Sequence, residues 1–213
     1  MKRRRTVWIF LVASLASAEW ADALLFDRGG GLIYDQDRNI TWLADANYAK
    51  SSGVDADGLM TWEEANAWAE GLTYGGFDDW RLPSNLNPDG SGPCFGIALT
   101  VCKESEMGHL FYSELGGTSG TSIEETADPD VALFQNLDRA FWSGPEYPIN
   151  PEIQFFFDFK SGEQLPDVRS AAWMAWAVRD GDVGLASVPE PNPFILIGAG
   201  LIAAMIWRRG RTA

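Results

Sequence analysis

The spacing of apolar residues along the chain changes between helical and extended patterns, and residues 61–84 show both in succession. Thr61 followed by Glu64 has capping-box spacing, in which a hydroxyl covers a free helix N–H and a carboxylate reaches back to the cap. A helix is predicted from there, because Ala65, Trp68, Ala69 and Leu72 recur at i, i+3, i+4 and i+7 and form one apolar stripe. Gly71, Gly75 and Gly76 supply the stop. Residues 77–83 then read as a short extended run with Trp80 and Leu82 on one face, ended by Pro83, which has no backbone donor for a further strand bond.

Upstream, residues 32–34 and 40–43 are apolar runs separated by Asp35-Gln36-Asp37-Arg38-Asn39, a β-hairpin pattern, and one helical turn is expected within residues 45–50. Downstream, Met107, Leu110, Phe111 and Leu115 share the face of a second helix that begins after Ser105 and stops at Gly116-Gly117. Residues 116–129 are small, polar and acidic and read as mobile surface loop. Strand patterns return at 140–143, at 153–160, where Ile153, Phe155, Phe157 and Phe159 alternate with their neighbours, and at 172–179. Strands and helices segregated in this order predict an α+β fold with a mostly antiparallel sheet and two helices.

Charge and targeting change the picture. The 213 residues carry a formal charge of −14, yet seven of the sixteen basic residues lie in the two terminal segments. Residues 24–188 hold nine Lys and Arg against 27 Asp and Glu, a net of −18, which repels phosphate backbones and excludes nucleic acid as a natural partner. The N-terminus has a basic head, Lys2 to Arg5, an apolar run over residues 7–16, and small-x-small sites ending at Ala18 and Ala23. That pattern predicts a secretory signal peptide over residues 1–23, cut after Ala18 or after Ala23. In an exported chain the only two cysteines, Cys94 and Cys102, are expected to form a disulfide.

Candidate chemistry is sparse. Asp55-Ala56-Asp57-Gly58 resembles part of a calcium loop, with Asp55 and Asp57 as the ligands, but the third ligand and distal Glu of an EF-hand are missing. An acidic turn before a helix is the plainer account. His109 is the only histidine, with no Ser or Cys at an informative spacing, so a hydrogen-bonded or surface histidine is expected rather than a catalytic one. Of the seven Trp in residues 24–188, Trp42, Trp68, Trp80, Trp173 and Trp176 sit in patterned elements and are expected in the core. Trp62 and Trp142 are left as candidates for stacking on a ligand.

Two resemblances add to this reading. The stretches FDRGGGLIYDQDRNITWLADANYA, TWEEA, GGFDDWRLPS, EMGHLFYSELG, FWS and AWAVRDG together resemble the Lcl C-terminal domain family, over about residues 24–182. That resemblance implies a C-type-lectin-like fold shared with formylglycine-generating enzymes, with terminal strands meeting in one sheet flanked by two helices, and a carbohydrate-binding role of the kind its adhesin members have toward sulfated polysaccharides. The tail resembles a PEP-CTERM sorting signal: Pro189-Glu190-Pro191, an apolar stretch over residues 194–207, and Arg208, Arg209 and Arg211. It implies recognition and cutting by an exosortase, a membrane-held intermediate, and a surface or extracellular-matrix destination in a Gram-negative bacterium. The expected organisation is a leader (1–23), one domain (24–183), a linker (184–193), an apolar segment (194–207) and a basic end (208–213). A non-enzymatic binding module for extracellular polysaccharide leads, with no cofactor unless calcium sits at Asp55 and Asp57. The alternatives are an enzyme related to formylglycine-generating enzymes and a purely structural matrix protein.

Overall fold

A computed structural model describes residues 24–94 and 102–184. The leader expected over residues 1–23 and the sorting tail, including Pro189, Glu190 and Pro191, lie outside the described residues.

The hairpin forms as its pattern requires: β2 (Leu32–Asp35) pairs antiparallel with β3 (Ile40–Leu43), and Asn39 takes a positive φ at the turn. Ahead of it lies β1 (Leu25–Gly29), an edge strand with no counterpart in the apolar pattern, because Asp27, Arg28 and Gly29 contribute little to the core. The final strand, β9 (Val178–Asp180), pairs with β3, so one sheet has the order β1-β2-β3-β9 and both ends of the domain meet in it. A second sheet has the order β4-β8-β5-β6-β7, built from β4 (Leu59–Met60), β5 (Ala140–Trp142), β6 (Ile153–Asp158), β7 (Glu163–Val168) and β8 (Trp173–Met174). The class is α+β as expected, but there are two sheets rather than one, and β5 runs parallel to β8.

Three departures from the sequence pattern have local causes. Residues 172–179 are not one strand: β8 belongs to the second sheet and β9 to the first, and Ala175, Trp176 and Ala177 cross between them fully buried. Strand β7 carries Pro166, which is tolerated because β7 is the edge of its sheet. The loop at 116–129 is anchored rather than loose, since Ile123 is fully buried and its N–H donates to Phe159 O at 2.9 Å.

The helices are short. A single turn, α1 (Tyr48–Ser51), precedes α2 (Trp62–Glu70), which has the predicted capping box: Glu64 N donates to Thr61 Oγ1 and Thr61 N to Glu64 Oε2 at 2.9 Å. Helix α3 (Glu106–His109), capped by Ser105, runs into a π-helical turn (Leu110–Glu114). Met107, Leu110, Phe111 and Leu115 are all fully buried, as their common face predicts. The extra residue per turn lets the face continue after His109, and Leu115 N closes the turn on Leu110 O at 2.9 Å.

Cys94 and Cys102 are joined, with Cα atoms 5.3 Å apart. Gln164 Nε2, itself buried, donates to Cys94 O at 2.6 Å, so the bridge is fastened to the second sheet through β7. Replacing both cysteines with serine is expected to lower the unfolding free energy by about 2–3 kcal/mol, the chain-entropy value for so short a loop. Urea denaturation with and without reductant checks it; equal midpoints for the oxidised and the double-serine chains would contradict it.

Candidate functional site

The extended run after α2 is where the two sheets are laced together. Trp80 and Leu82 are buried side by side, which turns Arg81 outward between them. No continuous strand forms here. Arg81 instead makes a paired backbone contact with Val178 on the free side of β9, at 2.8 and 2.9 Å, and Ser84 bridges to Gly144 just past β5. Glu106 N donates to Ser84 O at 3.1 Å and Ser84 N to Glu106 Oε2 at 2.7 Å, which brings the start of α3 against the same run.

These contacts shape a groove of about 480 Å³ with Asn66, Arg81, Leu82, Ser84, Glu106 and Pro145 on its walls. A second depression of about 250 Å³ shares Ser84 and Glu106 and adds Asn87, Arg38 and Glu104. Arg81 forms a forked pair with Glu106, at 2.8 and 2.7 Å, and also holds Asp180 Oδ1 at 2.6 Å. Burial pushes the guanidinium pKa down, but the Glu106 and Asp180 carboxylates more than offset it, and the net shift is upward. Glu106 thus receives Arg81 on both oxygens and Ser84 N on one of them. A carboxylate so engaged orients and hydrogen-bonds; it is a poor general base.

A second polar cluster lies where β2 ends. Asp35 is fully buried, and one potential ligand atom from each of Asp35, His109 and Glu114 lies within 4.8 Å of the others. His109 Nε2 is 2.9 Å from Glu114 Oε1 and 3.8 Å from Asp37 Oδ2. Asp35 Oδ1 accepts from Arg38 N at 2.9 Å, while Oδ2 has no hydrogen-bond partner. The Trp42 indole N–H is near enough to lower the acid's pKa but short of a formed hydrogen bond, and it too lacks a partner. Burial pushes the Asp35 carboxyl up; the Arg38 N–H and His109 pull it back, and Glu114 adds to the rise.

The residues singled out from sequence are not brought together. Trp142 is fully buried with its indole N–H on Met60 O at 2.8 Å, and Trp62 is 8% exposed with its indole N–H on Ser143 O at 2.9 Å. The Trp62 ring is also covered by the Arg169 guanidinium at 4.4 Å. The stacking expectation for both is therefore corrected: they pin α2 and β5 to their neighbours. Their position outside the clearest periodic runs concealed this. Asp55 Oδ1 accepts from Asp57 N and Gly58 N at 3.0 and 2.6 Å, and Asp57 Oδ1 from Leu59 N at 3.0 Å. Those bonds hold the Asp55 carboxyl below its usual range. They build the turn before β4, and the one three-residue ligand group among the described residues is elsewhere, at Asp35, His109 and Glu114.

Sequence reasoning missed Arg81 and Glu106 as partners, although both stand in stretches, GGFDDWRLPS and EMGHLFYSELG, that carry the family resemblance. It missed Glu114 because an acid at the end of an apolar helix face carries no signal of its own.

Comparison with known families matches the PEP-CTERM protein-sorting motif to residues 187–210. No curated protein and no solved structure matches the chain. The chain therefore carries a sorting signal of the type that exosortases process, which marks it as an exported surface or extracellular protein.

Proposed function

We propose that this is a matrix or cell-surface binding module of a Gram-negative bacterium, delivered by a cleaved leader over residues 1–23 and by exosortase cutting at its tail. Its ligand is a neutral polysaccharide, bound in the groove beside Arg81 and Glu106. The sorting motif at residues 187–210 carries the reading, because it supports delivery of the folded domain to the cell surface, where neutral polymers would be within its reach. The groove supports it. Its ion-paired walls present fixed acceptors and donors to hydroxyl groups, while Leu82 and Pro145 offer apolar surface to ring faces. The net −18 of residues 24–188 disfavours polyanionic glycans by repulsion.

The enzyme alternative has less to stand on, since the cysteines that a formylglycine-generating type of chemistry would use are joined to each other. A lectin-like fold and kinship with the Lcl C-terminal domain family remain part of the proposal, supported by the terminal strands sharing one sheet. Calorimetry of the exported protein against its host's neutral exopolysaccharide is the test. Binding is expected, weakened about 3- to 10-fold in Asn66→Ala by loss of a hydrogen-bonding side chain at the groove wall. No heat of binding with any neutral glycan would leave the protein a structural component of the matrix.

A further inference from the structure

The leader reading leaves two cutting points, after Ala18 or after Ala23, and the contacts of Leu24 bear on the choice. Leu24 N is 3.3 Å from Glu114 Oε2, a contact across 90 positions of sequence, and Leu24 O accepts from Gln36 N at 2.9 Å. Leu24 is therefore already seated, at the mouth of the cluster formed by Asp35, His109 and Glu114. That cluster has two buried carboxylates and an unpartnered buried oxygen, Asp35 Oδ2, with no Lys or Arg among its ion pairs. Arg38, whose backbone N–H donates to Asp35 Oδ1, pairs its guanidinium with Glu104 at 3.2 Å instead.

We propose that the leader is removed between Ala23 and Leu24, and that the freed α-ammonium of Leu24 is the cation this pocket is built to hold. Water adds across the Ala23–Leu24 peptide bond; Ala23 leaves with the new carboxylate, and the Leu24 amine takes up a proton. An amide at this position offers Glu114 one N–H and no charge. The ammonium offers three N–H donors and a full positive charge, enough to answer Glu114 and Asp35 together. A cut after Ala18 works against the pocket, because Leu24 N would stay an uncharged amide and the chain would keep two further acids, Glu19 and Asp22, in place of a cation at Leu24. The small-x-small site Ala21-Asp22-Ala23 ends at the residue before the seated one. Leader removal then completes the fold, tying the outer strand β1 to the end of the π-helical turn.

This inference rests on the leader reading, and N-terminal sequencing of the exported protein separates the two. A start at Leu24-Leu25-Phe26 is expected. A start at Glu19 keeps the leader and overturns the pocket proposal; a start at Met1 overturns both. The pocket itself is tested on chain that begins at Leu24 and retains its tail, by titrating the α-amino group of ¹⁵N,¹³C-leucine-labelled protein by NMR. Glu114 is in contact with it, Asp35 and His109 complete the cluster, Asp37 Oδ2 is 3.8 Å from His109 Nε2, and Asp130, with Asp128 beside it, is within electrostatic reach of Glu114. Its pKa is expected above the usual ~7.7–8.0 of a free α-amino group, so its stabilisation is present below that range and is lost as pH rises through the higher folded value. A chain extended by residues 19–23 is expected to have a folding equilibrium constant about tenfold lower at neutral pH, the scale of one charge-assisted hydrogen bond. An α-amine with its ordinary pKa, or equal stability of the two chains, would overturn the proposal. So would tight 1:1 binding of zinc or manganese by the chain that begins at Leu24, abolished in His109→Ala, because a metal would then be the pocket's cation.

Discussion

Replacing Trp176 with alanine is expected to lower the unfolding free energy by about 3–5 kcal/mol, the scale of removing a fully buried large aromatic. Trp176 is fully buried on the segment that crosses from β8 in one sheet to β9 in the other. Its ring meets Trp42 of β3 at 4.6 Å between centroids, Phe141 of β5 at 5.3 Å, and Phe134 and Phe159 at 5.7 Å each. The substitution therefore empties a volume bounded by both sheets, which cannot collapse without moving one relative to the other. It also leaves Leu43 O without the indole N–H that donates to it at 2.8 Å. Denaturant titration followed by circular dichroism measures the loss. A change under about 1 kcal/mol would show that the two sheets are not joined through this residue.

The second large effect concerns delivery. Converting Pro189, Glu190 and Pro191 to alanine in the native host is expected to reduce the surface-located pool by at least about tenfold and to leave the chain in the inner membrane. The apolar run at 194–207 would span about 21 Å as a helix, against a hydrocarbon core of about 30 Å. Mismatch of that size costs fractions of a kcal/mol per Å, so a short span can persist as an anchor when it is not cut. Fractionation followed by immunoblotting checks the prediction. A variant that reaches the surface in wild-type amounts would show that the tripeptide is not what the processing enzyme reads.

How much of this was legible depended on whether one segment held the whole signal. The capped helix α2 and the hairpin β2–β3 were readable because cap, apolar face and turn are local. The face of α3 was also readable, since Met107, Leu110, Phe111 and Leu115 keep one side even where the helix widens into a π turn. Strands β1 and β7 were not: as edges they need only one partner, and their charged residues and Pro166 hide the pattern. The split of residues 172–179 between two sheets was invisible because Ala175, Trp176 and Ala177 are buried on every side, which removes the alternation that would have placed them.

The site divides in the same way. Cys94 and Cys102 needed only the export signal and their number. The Arg81, Glu106 and Asp180 network joins positions up to 99 residues apart, and nothing in an acidic chain distinguishes those two carboxylates from the other 28 until the backbone brings them to one guanidinium. Trp62 and Trp142 misled for the opposite reason: standing beside the periodic runs suggested freedom, yet each indole N–H fastens one element to a carbonyl more than 80 residues away.

Intact-mass spectrometry of the protein recovered from the surface of its native host tests the central claim most directly. A chain that has lost residues 194–213, and ends at or near Pro189-Glu190-Pro191, is the result expected for an exosortase-sorted surface protein. A surface form that retains the apolar segment and Arg208, Arg209 and Arg211 would contradict it.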